Sequence, residues 1–361
     1  MKIYLIVCFA AISASSCTGT SSTQENSTNS LPADTTKYVY HFQNKYLDVN
    51  NLSYIDSSKA VNYSEVVREN FHVAHFFGGE ANLTAVYEGL TYELLANRDI
   101  RITTSSGKVI RTVKDPDKGI STDNVSGNSV LFATSTGIIS AIRLSDDNGY
   151  HIRKYDPAGN ILNTWTVKHT LYNVEGNTVE SIPFIYYFAH SDDKMIFSSI
   201  YSGKQQTVIL DLDSGMQQTT PVSTGGIIVN SLNNKLAGLI HFNEDRRTMQ
   251  VDLGEKKWEI ENASYGDAAK TILSDSILVM AMYHNIATGC MVNAYNAETG
   301  KLIWKGDVKQ LNVGHSKYYN VVHLTLCGQK LILEGNEAYG SYLQVLDLKT
   351  GKRLFEDMPG E

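Results

Sequence analysis

NAYNAETGKLIWKGDV at 293–308 and LQVLDLKTGKRLFEDM at 343–358 are nearly the same sentence written twice. Each holds an alternating apolar run, a polar clause closing on glycine, and a second apolar run. Alternation at period two marks a strand with one buried face, and a short Asp/Asn-x-x-Thr-Gly joint between two such runs is a hairpin turn. The residue types suit that turn. An Asp or Asn at its start accepts a hydrogen bond from the backbone two residues on, and Gly takes a positive φ without a Cβ clash.

The clause recurs upstream. RITTSSGKVIRT places Gly107, RKYDPAGNILNTW places Gly159, VILDLDSGMQQTT places Gly215, and MQVDLGEKKWEI gives a shortened copy at Gly254, ahead of Gly300 and Gly351. Successive glycines stand 52, 56, 39, 46 and 51 residues apart. Several strands per unit at a period of roughly 40–55 residues is the signature of a β-propeller. Four positions after the glycine stand Trp258, Trp304 and Phe355, flat side chains suited to wedging one blade against the next. Arg111, Asn163 and Thr219 break that pattern, with Trp165 two residues beyond Asn163.

The expected fold is all-β, with four-stranded antiparallel blades over 71–115, 120–168, 180–221, 226–262, 270–309 and 320–357. Residues 37–70 contain KYVYHFQNKYLDV and a less regular stretch. They predict six blades plus an N-terminal closing segment, with a seventh blade as the alternative. YSEVVRENF at 63–71 is at most two helical turns.

The chain has 361 residues, 42% of them hydrophobic and 19% charged, with a net charge of −7. That balance excludes a non-specific nucleic-acid binder. Residues 37–361 are read as one propeller domain. Residues 1–16 are read as a leader: Lys2 precedes IYLIVCFAAISA, which is too short to span a bilayer as a helix but right for a secretory signal. The following ASSC at 14–17 resembles the lipobox of bacterial lipoproteins, in the relaxed Bacteroidetes form with Ala14 where Leu is common. The resemblance implies lipidation at Cys17 and attachment to the cell envelope of a Gram-negative bacterium, periplasmic or surface-exposed. A plain secretory signal is the alternative. Residues 18–36 carry one Leu and no other large apolar side chain, and so read as a disordered tether with a reach of about 25 Å.

AYNAETGKLIWK and VLDLKTGKRLFE resemble the repeat of quinoprotein alcohol dehydrogenase-like β-propellers, whose blades end in Asp-x-x-Thr-Gly-Lys-x-x-Trp. ILDLDSGMQQ fits more loosely. The family's enzymes hold pyrroloquinoline quinone and Ca²⁺ in the central channel, often beside a vicinal Cys–Cys disulfide. This chain has no adjacent cysteines, and no family catalytic residue matches a position here. Other relatives are non-catalytic envelope lipoproteins. The resemblance therefore implies a monomeric, lipid-anchored binding or scaffold module without a cofactor, whose partner is an envelope protein or a glycan and whose only membrane link is the lipid. A small quinoprotein-type dehydrogenase using that quinone with Ca²⁺ is one alternative. A glycan-binding surface lipoprotein is the other.

Candidate sites are sparse. GDVKQLNVGHSKYYN at 306–320 is a long joint between blades carrying His315, Lys317, Tyr318 and Tyr319. Aromatic and basic groups together suit an interface, and this joint is the candidate binding patch. His72 and His75 have HxxH spacing, but strand geometry would put them on opposite faces. AHSDDK at 189–194 and LSDDNG at 144–149 lack the full spacing of a calcium loop and read as turn-formers, so no metal is expected. Cys290 and Cys327 sit in strand-like contexts as buried thiols or as a pair. The 21 tyrosines against 3 tryptophans suit strands that bury a ring while wetting its hydroxyl.

Overall fold

Alternating strands fold back on themselves through the predicted hairpins, and the result is seven four-stranded sheets arranged in a ring. The computed structural model describes residues 36–66, 83–116, 129–144, 149–168, 184–201, 204–243, 248–261, 270–285, 289–309, 321–337 and 340–359. Lys37–Glu361 forms one compact unit. Blade 1 spans 38–65, blade 2 84–113, blade 3 130–168, blade 4 184–220, blade 5 223–261, blade 6 270–305 and blade 7 321–357. In blades 2 to 7 the strands follow in sequence order from the inner to the outer edge, each antiparallel to the last.

The expectation of six blades and a closing segment gives way to its alternative. Residues 37–66 build a complete sheet, in which Tyr38–Phe42, Lys45–Asp48 and Ser53–Ile55 run outward as a meander. The chain then turns back through the short helix Ser57–Ala60, and Ser64–Glu65 pairs with the first strand on its other side, in parallel. Of the stretch 63–71, the described part is therefore extended at Ser64–Glu65, and 67–71 lies outside the described residues.

The core is distributed between the blades. One cluster joins Ile272, Ala281, Val292 and Trp304 of blade 6 to Leu331, Leu333, Tyr342 and Leu346 of blade 7. Similar clusters join blades 2 and 3, 3 and 4, 4 and 5, and 5 and 6. Tyr40, Phe42, Leu47 and Val49 of blade 1 pack on Ile332, Leu343 and Val345 of blade 7, which closes the ring. Side chains alternate between the two faces of each strand, so each sheet can feed two such layers.

The strand directions give the ring two different ends. The tight turns between first and second strands and between third and fourth strands lie at one, here named the turn end. Lys330 donates from the first turn of blade 7 to the carbonyls of Val49 (2.7 Å) and Asn50 (3.0 Å), which places the turn of blade 1 at the same end. Tyr38 N–H donates to Asn50 Oδ1 at 2.8 Å, so the chain enters the ring at the turn end. The last strand, Arg353–Asp357, runs away from the turn at Gly351, so the chain leaves by the opposite end.

Candidate binding surface

The six turn glycines, Gly107, Gly159, Gly215, Gly254, Gly300 and Gly351, all have φ between 68° and 82°. At the start of the turns an acid or amide gathers backbone N–H groups. Asp347 Oδ1 accepts from Lys349 and Thr350 at 3.1 and 2.8 Å, and Asn296 Oδ1 accepts from Glu298 and Thr299 at 3.0 and 2.9 Å. Thr350 is the main cause that holds the Asp347 carboxyl below its ordinary pKa. Asp211 is lowered further by Lys194, whose Nζ lies 2.6 Å away, and by the Ser214 N–H.

The glycines have a second role that φ alone does not explain. A Cβ at Gly300 would stand 2.6 Å from the Trp258 indole, and one at Gly351 would stand 2.5 Å from that of Trp304. Gly215 lies against Trp165 in the same way. Each tryptophan of one blade is thus seated on the turn glycine of the next. Trp258 Nε1 donates to Ala297 O at 3.1 Å and Trp304 Nε1 to Leu348 O at 2.9 Å, so the ring buries its faces while its one polar atom is satisfied. Where blade 2 lacks a tryptophan, Arg111 reaches Ala158 O at 2.6 Å and Val113 fills the place beside Gly159. Phe355 meets no glycine; it stands edge-on to Tyr54 at 5.6 Å.

At the turn end the innermost turns are tied blade to blade. Tyr87 Oη donates to Ser135 O (3.5 Å), Ser135 N–H to Asp192 Oδ2 (3.3 Å), Asp192 N–H to Asn234 O (2.9 Å), and Ser231 N–H to Leu273 O (2.9 Å). The chain of contacts runs from blade 2 to blade 6. The acids of AHSDDK serve it. Asp193 Oδ1 accepts from Ser191 Oγ at 2.8 Å and Leu236 N–H at 2.9 Å, and burial raises the Asp192 carboxyl above its ordinary pKa. Among the described residues no three carboxylate, histidine or cysteine side chains converge.

Of the candidate patch, His315, Lys317, Tyr318 and Tyr319 lie outside the described residues, but their lead-in does not. Lys309 N–H donates to Gln344 Oε1 at 2.9 Å, and Gln344 Nε2 donates back to Lys309 O at 2.6 Å. Gln344 is fully buried, so this paired amide contact fixes the backbone as it leaves blade 6. Asp307 N–H donates to Gly351 O at 3.0 Å, and Lys309 Nζ lies 3.5 Å from Glu356. Cys17, His72, His75 and residues 145–148 lie outside the described residues, as does the Cys290 side chain. Cys327 ends its strand half-buried.

Sequence reasoning missed a buried ionic group. Asp115 accepts from Arg98 Nε at 2.8 Å and Arg153 Nη1 at 2.9 Å, with all three side chains at most 3% exposed. Asp99 Oδ1 accepts from Asp115 N–H at 3.2 Å, and Lys114 reaches Asp99 Oδ2 at 2.8 Å. The group joins blade 2 to blade 3 where the outer strand of blade 2 ends. No local motif announces it, because its members are scattered over 55 residues of chain.

No family model matches the chain, and no curated protein does. Among solved structures it is similar to BamB from Moraxella catarrhalis, at 11% identity over 81% of this chain and 79% of that one, with a TM-score of 0.42. It is also similar to a protein from Lactobacillus plantarum, at 13% identity over 87% and 91% with a TM-score of 0.48. A third is the Cps50 (Swd1) β-propeller domain from Myceliophteria thermophila, at 9% identity over 81% and 90% with a TM-score of 0.42. At such identities fold and chemistry come apart.

Proposed function

We propose that this chain is a lipid-anchored β-propeller of the cell envelope that binds another protein and carries out no chemistry of its own. The binding patch is the joint bearing His315, Lys317, Tyr318 and Tyr319, between the last strand of blade 6 and the first of blade 7. The observation that supports it is the clamp on the lead-in, where buried Gln344 holds Lys309 through both amide groups. A loop whose base is fixed loses less entropy on binding than one that is free from its root. Cys17 and the tether supply the link to the membrane.

The test is capture of the tagged, full-length protein from gently solubilised membranes, with photo-crosslinking residues placed at Tyr318 or Tyr319. The expected result is one adduct of defined mass in a stoichiometric complex, and weaker capture after Gln344→Leu. Isolation of the protein alone, or equal crosslinking from any surface position, overturns the reading.

A further inference from the structure

The turn end carries apolar side chains at its tips. Leu232 is 78% exposed, Val61 80% and Met216 57%. They stand on three separate blades, Leu232 and Val61 in a turn or crossover and Met216 where the outer turn of blade 4 meets its last strand. Leu232 is also held in place. Its N–H donates to Asn230 Oδ1 at 2.8 Å, and its six-residue turn is bonded to the neighbouring blade on either side. Val61 follows the helix Ser57–Ala60, where the chain crosses the turn end of blade 1 and Tyr63 Oη donates to Asp48 Oδ2 at 3.0 Å. Around the rim, aliphatic residues such as Ile110 and Leu162 stay half in water just after the outer turns. Exposed lysines flank the tips, Lys59 before Val61 and Lys235 after Leu232. A lysine beside an apolar tip can lay its stem along apolar surface while its ammonium group stays in polar surroundings.

The second observation is where the chain enters. Lys37 and Tyr38 sit at this same end, tied to the turn of blade 1 by the bond to Asn50 and by Ser64 N–H to Lys37 O at 2.8 Å. The ring's own first residues therefore stand at its turn end. A short flexible tether keeps the body close to whatever holds its far end. Rigid apolar tips flanked by lysines are the chemistry of contact with a lipid headgroup boundary.

We infer that the turn end rests on the lipid surface, with Leu232 and Val61 entering the headgroup boundary, while the opposite end is presented to the partner. This rests on the reading of residues 1–36 as a lipid anchor and tether. The membrane link is then more than the lipid on Cys17. The ring itself has a fixed orientation.

The experiment uses full-length lipoprotein in vesicles of phosphatidylethanolamine and phosphatidylglycerol, with a fraction of the lipid carrying a quencher. A polarity-sensitive fluorophore is attached through Leu232→Cys, Val61→Cys or, at the opposite end, Asn44→Cys, in a Cys290→Ser, Cys327→Ser background. Quenching several-fold stronger at 232 and 61 than at 44 is expected. A companion Cys17→Ser chain measures the ring's own partition, which should fall about tenfold with Leu232→Asp. Equal quenching at all three positions, stronger quenching at 44, or none at 232 overturns the inference and leaves the binding reading intact. A label at 232 that is shielded only after membrane extract is added shows a protein occupant at the turn end, and also overturns it. Full-length protein that fails to enter the vesicle fraction removes the anchor reading and this inference with it.

Discussion

Two seams of the same ring are built from different chemistry. Between blades 6 and 7 an indole slots under a glycine. Trp304 is 7% exposed, hydrogen-bonded to Leu348 O, and surrounded by a continuous apolar layer. Between blades 7 and 1 the equivalent Phe355 finds no such slot, because the outer turn of blade 1 has Leu52 at φ 55° and no glycine. That seam is held by charge over a smaller apolar set. Lys45 pairs with Asp357 at 2.8 Å, Tyr54 donates to the same carboxylate, Tyr40 Oη donates to Glu334 at 2.8 Å, and Lys330 bonds two carbonyls of blade 1. A repeat supplies its own joint wherever the next unit is a true repeat. Where the ring meets its irregular first blade, polar contacts take over.

The contrast yields ordered expectations for stability. Trp304→Ala empties the slot of one repeat seam and should cost about 3–5 kcal/mol in denaturant unfolding, the largest effect here. Gly351→Ala pushes a methyl into the same indole and forces a side chain to φ 69°, for about 2–3 kcal/mol. In the Trp304→Ala background that cost should fall to about 1 kcal/mol, leaving only the backbone component. Additive costs would show that the glycine is not a seat for the ring. Asp357→Asn weakens the closing seam by about 1 kcal/mol, and this difference should shrink in high salt while that of Trp304→Ala does not. A salt-independent Asp357→Asn would erase the distinction between the seams.

The smallest effect is in pH. Burial alone would raise the Asp357 pKa, but Lys45 and Tyr54 hold it below its ordinary 3.8. A carboxylate depressed in the folded state contributes stability that is complete above the unfolded value and is lost as the pH falls through the folded one. The wild-type melting temperature should therefore fall more steeply below about pH 4 than that of Asp357→Asn. Parallel acid limbs would exclude Asp357 as a source.

Much of this was legible in the chain because blade and repeat coincide. Alternation and the Asx-x-x-Thr-Gly clause located six sheets to within a few residues at most boundaries, since both signals are local. Blade 1 was ambiguous for a physical reason. Its turn uses Asp48 and Leu52 without glycine, and its inner strand is two residues long and parallel, so neither local signal is present. Trp165 stands six residues past its turn glycine where Trp304 stands four past. Both offsets are even, so both side chains leave the same face of the strand. Which glycine each tryptophan would cover was hidden, because that contact crosses to the next repeat. The Arg98–Asp115–Arg153 group and the Gln344 clamp were illegible for the same reason, their partners being set by how blades stack.

The chain comes in at the turn end of blade 1 and goes out at the opposite end of blade 7, and those two blades are neighbours. A pull between Lys37 and a load on the last strand of blade 7 would therefore bypass the five blades between and cross the closing seam in shear. Under tension the ring has a built-in zip line: the ionic contacts at Lys45, Asp357 and Lys330 yield first, and the tryptophan seams are spared.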